Sequence, residues 1–294
     1  MSIPKLNSYS LDNLLDGITN KVSWNLDANR AVLLIHDMQQ YFLDFYADDA
    51  LKARLIQTVS EIKAACKAQG IPVVYTAQPG DQAPQDRALL TDFWGTGLKA
   101  SDQVTRIVPE LAPDTDDTVL TKWRYSAFKR SPLLETMQEQ QRDQLIIVGV
   151  YAHIGCMLTA ADAFMYDVQA FFVADGLGDF SREDHIDALQ YVAKRCGYVT
   201  NQADILQCIQ EQQSVATLPT SKAQLKSLIA QLIEIEENDI YNDDNLLDLG
   251  LDSVRAMMLL GRLQNAGLNT SFAEFASAPS IDGWWQLIEP QIAA

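Results

Sequence analysis

The first two-thirds of the chain alternates between strongly apolar runs and segments with helical periodicity. Residues 30–37, 71–77 and 144–150 consist mainly of apolar side chains, as is typical of strands that are buried on both faces of a sheet. Residues 51–69 have the periodicity of a helix, and Gly70 ends it. This alternation predicts an α/β fold with a mainly parallel sheet and helices on both of its faces. Further strands are predicted at 118–121 and 168–174, and further helices at 132–140, 155–167 and 181–195.

The pattern changes near residue 211. Residues 211–221 are polar, contain Pro219 and have no apolar period, which is typical of a linker. Only helices are predicted beyond it, at 222–235, 253–263 and 281–288. The predicted division is a first domain at 1–211, a linker at 212–221 and a small all-α, four-helix domain at 222–294.

Charge and cysteine spacing exclude several classes of protein. The formal net charge of −17 argues strongly against a nucleic-acid partner, because phosphate binding needs clustered lysine and arginine. No apolar run reaches the roughly 18–20 residues of a membrane-spanning helix, and we expect no signal peptide. The four cysteines have no spacing that indicates a metal site or a redox pair. We therefore expect a cytoplasmic protein with free thiols, no membrane association and no bound metal.

The segment DLGLDSVRAMM, residues 248–258, is the most specific motif of the second domain. Gly250 permits a tight turn, and Ser253 lies at a predicted helix start, where the helix dipole favours an anionic phosphodiester. A simpler interpretation is that Asp252 and Ser253 only cap the helix. The motif lies midway through a segment, 218–294, that has eleven acidic and four basic side chains. This context favours the interpretation that Ser253 carries a covalently attached phosphodiester over the interpretation as a helix cap alone.

The motif resembles the phosphopantetheine attachment signature of acyl, peptidyl and aryl carrier proteins. The resemblance implies a covalent 4'-phosphopantetheine group on Ser253. Met257 follows Ser253 by one helical turn on the same face, and Phe272 is expected in a loop-like stretch that folds back towards it. Both residues are candidates for partner docking, and core packing is an equally good interpretation of each.

The first domain resembles the isochorismatase branch of the cysteine-hydrolase-like superfamily. The resemblance extends from about Ile3 to Glu211, and its order and spacing make it specific. The segments that carry it are VLLIHDMQQYF, VVYTAQP, ALLTDFWG, LTKWRYSAF and VGVYAHIGCM. With the second domain added, the chain resembles the bifunctional isochorismatase–aryl carrier proteins of catecholate siderophore assembly.

This resemblance assigns roles to individual residues. Asp37, at the carboxyl end of the first strand, is the expected catalytic acid, and Lys122 is the expected active-site lysine. Each has a simpler interpretation, a loop cap for Asp37 and a solvated side chain for Lys122. His36 and His153 are tempting general bases, but hydrogen-bonded buried histidines explain them better. The expected substrate contacts are Gln78, Arg87, Tyr151 and Gly155, with Phe42 and Trp94 as apolar walls or core residues.

Cys156 lies next to the position of a nucleophile. Amidohydrolase relatives use a cysteine at the start of this helix, where the dipole lowers its pKa. The family pattern places that nucleophile at Gly155, and one residue along a helix rotates a side chain by about 100°. We therefore expect Cys156 to point away from the substrate and to be structural.

The resemblance implies hydrolysis of isochorismate by acid-catalysed cleavage of its vinyl ether, without a metal. It also implies several partners for the carrier domain: a phosphopantetheinyl transferase, an aryl-acid adenylating ligase and the condensation domain of a non-ribosomal peptide synthetase. The carried group would be 2,3-dihydroxybenzoate. A homodimer through the hydrolase domain is left open. Two alternatives are a cysteine amidohydrolase that uses Cys156, and a carrier or scaffold protein with an inactive hydrolase domain.

Overall fold

The computed structural model describes residues 3–213, 218–233 and 235–292. The chain divides into two compact units, Met1–Ile209 and Gln210–Ala294. The helix Gln202–Gln213 begins in the first unit and crosses this boundary into the predicted linker, because its glutamines and glutamate are good helix formers that need no apolar period. The linker residues 214–217 lie outside the described residues.

Six strands form one parallel sheet in the first unit. They are β1 (Ala31–His36), β2 (Val73–Ala77), β3 (Thr118–Thr121), β4 (Gln144–Val150), β5 (Gln169–Gly178) and β6 (Gly197–Thr200). Their order across the sheet is β3-β2-β1-β4-β5-β6, and every neighbouring pair is parallel. The predicted α/β fold class is confirmed.

Helices connect these strands. In the first unit they are α1 (Gln40–Leu43), α2 (Asp49–Ala68), α3 (Pro84–Arg87), α4 (Leu90–Trp94), α5 (Asp102–Thr105), α6 (Leu133–Glu139), α7 (Met157–Met165), α8 (Arg182–Arg195) and α9 (Gln202–Gln213). Parallel crossovers are right-handed, and the strand order runs outwards in both directions from β1 and β4. The connecting helices of the two halves therefore cover opposite faces, and every residue of β1 and β4 is buried.

The longest helix shows how the sequence specifies this packing. Asp48 caps the start of α2 by accepting a hydrogen bond from the Ala50 amide. Leu55, Val59 and Ile62 follow at helical spacing and are fully buried. Burial of each such side chain contributes roughly 1.5–3 kcal/mol, so this apolar stripe holds α2 against the sheet.

Two predicted elements differ from the structure. The helix predicted at 155–167 begins earlier, with a π-helical turn at Ala152–Cys156 that leads into α7. The strand predicted at 168–174 continues to Gly178 as β5. Strand β6 and helix α9 were not predicted, because short apolar segments at the end of a domain carry little periodic signal.

The second unit is helical. It contains α10 (Lys222–Ile233), α11 (Ser253–Asn265), α12 (Phe272–Ser277) and α13 (Ile281–Ile292). The indole of Trp284 stacks on Phe275 with a centroid distance of 3.9 Å and donates a hydrogen bond to the Phe275 carbonyl. This stack ties α12 to α13 in the core of the unit.

The expectation of a loop at Phe272 was wrong. Phe272 is the first residue of α12, and Ser271 and Glu274 form a reciprocal capping box around it. Six residues are too few to show an apolar period, so Ser271 and Glu274 are the sequence signal for this helix. Among the described residues, the structure has no helix that combines the length and apolar character needed to cross a membrane.

Candidate active site

Side chains from five strands converge at one edge of the sheet. Asp37, Gln78, Lys122, Tyr151 and Phe180 each lie one or two residues beyond the carboxyl end of a strand, from β1 to β5 in turn. All strands are parallel, so these ends meet at the same edge. The strand order reverses between β1 and β4, and such a reversal leaves a crevice in which ligands bind.

A cavity of about 590 Å³, open to solvent, occupies this crevice. This volume includes open solvent, and the concave, mainly apolar lining with a few polar groups is typical of a small-molecule site. All eight residues predicted for the hydrolase site line it: Asp37, Phe42, Gln78, Arg87, Trp94, Lys122, Tyr151 and Gly155. These residues are spread over more than a hundred positions of the sequence, and the fold brings them together.

A buried ion pair lies in the cavity. The Lys122 ammonium donates to Asp37 Oδ2 over 3.0 Å, and each residue is only 4% exposed. The Thr76 hydroxyl donates to Asp37 Oδ1 over 2.6 Å, and the Gln78 amide reaches Asp37 Oδ2 at 3.5 Å. The carboxylate therefore has partners on both of its oxygens.

These partners decide the charge of Asp37. Burial alone would raise the pKa of Asp37, but the positive charge of Lys122 and the hydrogen bond from Thr76 hold that pKa below its ordinary value. The free site thus contains a carboxylate and an ammonium at neutral pH. An acid role for Asp37 requires that something raise its pKa again.

His36 is neutral in this environment. Its Nδ1 donates to the Val150 carbonyl over 2.8 Å, and burial together with the charge of Lys122 lowers the pKa of His36 to about 4. The imidazole also fills the space beside Gly155, because a methyl group at Gly155 would overlap its ring. His36 is thus a buried, hydrogen-bonded histidine, as expected from the sequence.

Arg87 brings an incompletely paired cation into the cavity. Its Nε donates to the Gly95 carbonyl over 2.6 Å, while its Nη1 is buried and has no hydrogen-bond partner among the described residues. A buried donor without a partner is costly unless a ligand supplies an acceptor. Arg87 can therefore bind an anionic group at this wall of the cavity.

Aromatic side chains form another part of the cavity wall. The Tyr151 hydroxyl donates to the Phe42 carbonyl over 2.6 Å, and the two rings meet edge to face. The Trp94 indole donates to the Tyr125 hydroxyl over 2.7 Å. Their polar atoms are therefore satisfied, and their rings present an apolar surface to a substrate.

Among the lining residues missed by the sequence reasoning, four have aromatic or charged side chains: Tyr41, Arg124, Tyr125 and Phe180. Three of them lie within segments that had been singled out, directly beside Phe42 or two to three residues after Lys122. Phe180 had a weaker signal, because the end of β5 was predicted at Ala174. The extension of β5 to Gly178 is what brings Phe180 to the cavity.

Cys156 is buried and does not line the cavity, whereas Gly155 does. Burial raises the pKa of the Cys156 thiol well above its ordinary value. The expected rotation between neighbouring residues takes place in a π turn and not in an α-helix, since the Cys156 amide bonds to the Tyr151 carbonyl five residues back. The inaccessible, protonated thiol nevertheless cannot act as a nucleophile.

The second unit presents its serine to solvent. Asp252 caps α11 by accepting a hydrogen bond from the Arg255 amide over 2.7 Å. Ser253 is the next residue, and its side chain is exposed. Gly250, with φ of +102° and open space around it, permits the turn before the helix. These residues suit a covalently attached phosphopantetheine group on Ser253.

One cluster of acids has the spacing of a cation site. Asp114, Asp116 and Asp117 lie close together, but the Lys67 ammonium contacts all three carboxylates and Lys63 contacts two of them. The lysines already compensate the negative charge. The cluster is an ion-pair network.

Comparison with known families and proteins agrees with this geometry. The isochorismatase domain family matches residues 31–204, and the phosphopantetheine attachment site family matches residues 223–288. A solved cysteine hydrolase from Pseudomonas syringae pv. phaseolicola 1448A has a similar fold, with a TM-score of 0.60 and 21% identity, over 64% of this chain and 96% of its own.

Two curated relatives match nearly the full length. Enterobactin synthase component B of Escherichia coli (strain K12) is 47% identical over 99% of this chain and 100% of the relative. The isochorismatase of Bacillus subtilis (strain 168) is 47% identical over 98% of this chain and 96% of the relative. The chain therefore belongs to the isochorismatase family, with a phosphopantetheine carrier domain following its hydrolase domain.

Proposed function

We propose that the first unit hydrolyses isochorismate to 2,3-dihydro-2,3-dihydroxybenzoate and pyruvate, and that the second carries an aryl acid as a phosphopantetheine thioester. The observation that carries the first part is the buried Asp37–Lys122 pair in a cavity that also holds the unpaired Nη1 of Arg87. The names of the two full-length relatives, an isochorismatase and an enterobactin synthase component, support both parts. Measurement of pyruvate released from isochorismate tests the hydrolase directly.

The reaction requires one proton on carbon. Asp37 transfers its proton to the terminal methylene carbon of the enolpyruvyl group, and the electron pair of the double bond forms the new C–H bond. The resulting oxocarbenium ion takes up water, which loses a proton to the Asp37 carboxylate. The hemiketal then breaks the bond between its carbon and the oxygen attached to the carbocycle, while its hydroxyl proton passes to that oxygen, and pyruvate is released. Asp37, protonated again, loses its proton to solvent when the products leave.

The substrate supplies the change in pKa that Asp37 needs. Isochorismate has two carboxylates, and the cations that line the cavity include Lys122 and Arg87. A substrate carboxylate that pairs with Lys122 weakens the hold of this ammonium on Asp37 and adds a negative charge nearby. Both effects raise the pKa of Asp37 and favour its protonated form.

The other lining residues bind and orient the substrate. Arg87 takes a carboxylate with its unpaired Nη1, and Gln78 holds Asp37 from a second strand. Phe42, Trp94 and Tyr151 contact the carbon ring through the aromatic wall. A side chain at Gly155 would collide with His36, so glycine at this position lets the imidazole pack beside it while Gly155 itself lines the cavity.

The alternatives from the sequence are less well supported. A cysteine amidohydrolase would need an accessible thiolate, and Cys156 is buried with a raised pKa. A scaffold with an inactive hydrolase domain would not need to keep Asp37, Lys122 and Arg87 together in one cavity.

The carrier unit works through Ser253. A phosphopantetheinyl transferase attaches the group to the exposed hydroxyl, and its terminal thiol carries the acyl chain. An aryl-acid adenylating ligase then loads 2,3-dihydroxybenzoate, and a condensation domain of a non-ribosomal peptide synthetase accepts it. Met257 and Phe272 are 58% and 42% exposed, which supports their proposed role in docking these partners. The cytoplasm supplies the coenzyme A that this modification consumes.

We also propose that the hydrolase unit forms a homodimer. Leu89, Phe93, Leu158 and Met165 are exposed and line one apolar groove beside α4 and α7. Lys129, Arg130 and Asp162 line the same groove. A second copy of the chain can thus cover the apolar side chains while its Asp162 lies opposite Lys129 and Arg130.

Replacement of Asp37 by asparagine tests the acid. Asp37→Asn should lower pyruvate release by at least the roughly 10²–10⁴-fold that general acid catalysis provides. The exposed carboxylate of Asp44 gives a matched control, since Asp44→Asn should leave turnover unchanged. Steady-state kinetics on folded protein decide it. A variant that keeps half of the wild-type turnover would exclude Asp37 as the acid.

The pH dependence tests where the proton comes from. Asp37 is ionised in the free enzyme and protonated in the transition state, so kcat/KM should fall as pH rises between about pH 5 and pH 8. The slope should approach about tenfold per pH unit. The residual activity of Asp37→Asn should lack this slope. A flat wild-type profile would instead mean that the proton is supplied from within the Asp37–Lys122 pair.

Replacement of Cys156 tests the amidohydrolase alternative. Cys156→Ala should leave isochorismate hydrolysis within about threefold of wild type, because the thiol does not reach the cavity. Cys66→Ala is the matched control, since Cys66 is also a buried cysteine of the same unit. If Cys156→Ala lost turnover while Cys66→Ala kept it, and both stayed folded, covalent chemistry would replace the acid mechanism.

Replacement of Ser253 separates the two functions. Ser253→Ala should hydrolyse isochorismate normally but gain no phosphopantetheine mass from coenzyme A and a transferase. Because Asp252 provides the helix cap, the substitution should cost well under about 1 kcal/mol of stability. Ser271→Ala is the control, an exposed serine at another helix start that should leave modification intact. Intact-mass spectrometry measures both.

The same measurement tests the proposed domain boundary. A fragment from Leu218 onwards should be modified as the full chain is. Modification of Ser253→Ala would refute the site, and a folded fragment that cannot be modified would refute the boundary.

A further inference from the structure

A second acid–base pair lies beside the cavity and has no part in the chemistry proposed above. Asp179 follows β5 and is fully buried. Its Oδ1 accepts hydrogen bonds from His153 Nδ1 over 2.5 Å and from the Phe180 amide over 2.8 Å. Its Oδ2 accepts the His153 amide over 2.7 Å. The Asp179 carboxylate thus links its own segment, which includes Phe180, to the segment that contains His153.

This carboxylate caps the helix that follows β4. His153 lies in the first turn of the π segment Ala152–Cys156, where backbone amides have no partner within the helix. The residue before the segment, Tyr151, provides no side-chain cap. Asp179 supplies the missing acceptor from another strand, and its negative charge suits the positive end of the helix dipole.

The segments joined in this way form one side of the cavity. Tyr151 and Gly155 flank His153 in the sequence, and both line the cavity. The Phe180 ring meets the rings of His153 and Tyr151 at centroid distances of 5.1 Å and 4.8 Å, and that of Trp94 at 6.1 Å. Loss of the link would let this side move, while Asp37 and Lys122 stay fixed on β1 and β3.

We propose that His153 and Asp179 are positioning residues, which hold Tyr151, Gly155 and Phe180 where they contact the substrate. This inference rests on the proposed hydrolase function. His153 does not line the cavity, so it acts through its neighbours. Burial alone would lower the pKa of His153, but the hydrogen bond and charge of Asp179 outweigh it and raise that pKa. Burial in turn raises the pKa of Asp179.

Two substitutions at His153 separate positioning from bulk stability. In His153→Asn the amide nitrogen is attached to Cγ, as Nδ1 is in histidine, so it can still donate to Asp179. His153→Leu has no donor. We expect His153→Leu to raise KM for isochorismate about tenfold, a loss of about 1.4 kcal/mol in binding. His153→Asn should stay within about twofold of wild type.

KM is the decisive quantity. A purely structural defect lowers the fraction of folded enzyme, which reduces the apparent kcat and leaves KM unchanged. Asn20→Leu is the matched control, because it removes two hydrogen bonds to Val199 at the far edge of the sheet. It should lower stability in denaturant without a change in KM. The pH slope of kcat/KM should be the same in all variants, since Asp37 is untouched.

The possible results are distinct. An unchanged KM in His153→Leu would overturn the positioning role, as would an equal rise in His153→Leu and His153→Asn. A rise in KM for Asn20→Leu would show that any loss of stability has this effect and would also overturn it. Absence of pyruvate release by the wild type would instead refute the proposed function.

Discussion

The pairing of β1 with β4 at the centre of the sheet is the constraint on which the site depends. The two strands are in register from Ala31 opposite Gln144 to His36 opposite Gly149. Gly149 has φ of +116°, and a side chain there would overlap the backbone of His36, so the strands approach closely only because this residue is glycine. The close pairing places Asp37 and Tyr151 side by side, where the strand order reverses and the crevice opens.

The position of Lys122 at the same sheet edge explains why Asp37 is ionised in the free site. An isolated buried carboxylate or ammonium costs several kcal/mol, and the Asp37–Lys122 pair offsets that cost in each partner. In the mechanism that we propose, the same pairing keeps Asp37 ionised until another anion competes for Lys122. Substrate charge and the acid strength of Asp37 are then coupled, and proton transfer becomes possible only when an anionic ligand is present.

The two units place the side chains of their proposed sites in opposite environments, one buried and one exposed. The hydrolase unit buries Asp37 and Lys122, and the interaction between their charges is stronger there than in bulk water. The carrier unit leaves Ser253 exposed, as its proposed modification requires, because other enzymes would have to reach this side chain. Because the Asp252 carboxylate accepts the Arg255 amide at the start of the helix, the Ser253 hydroxyl is not needed as a helix cap.

Local pattern in the sequence determined the parallel α/β sheet, the helical second unit and the segments that carry chemistry, because apolar periodicity and strand ends are properties of neighbouring residues. It could not show that the amide of Cys156 closes a π turn, that Phe272 begins a helix or that Arg87 retains an unpaired donor. It also could not join His153 to Asp179. The π turn and the helix at Phe272 are local, but each is too short to show an apolar period in the sequence. The state of Arg87 and the link between His153 and Asp179, which lie 26 positions apart, are decided only by the packing of the folded chain.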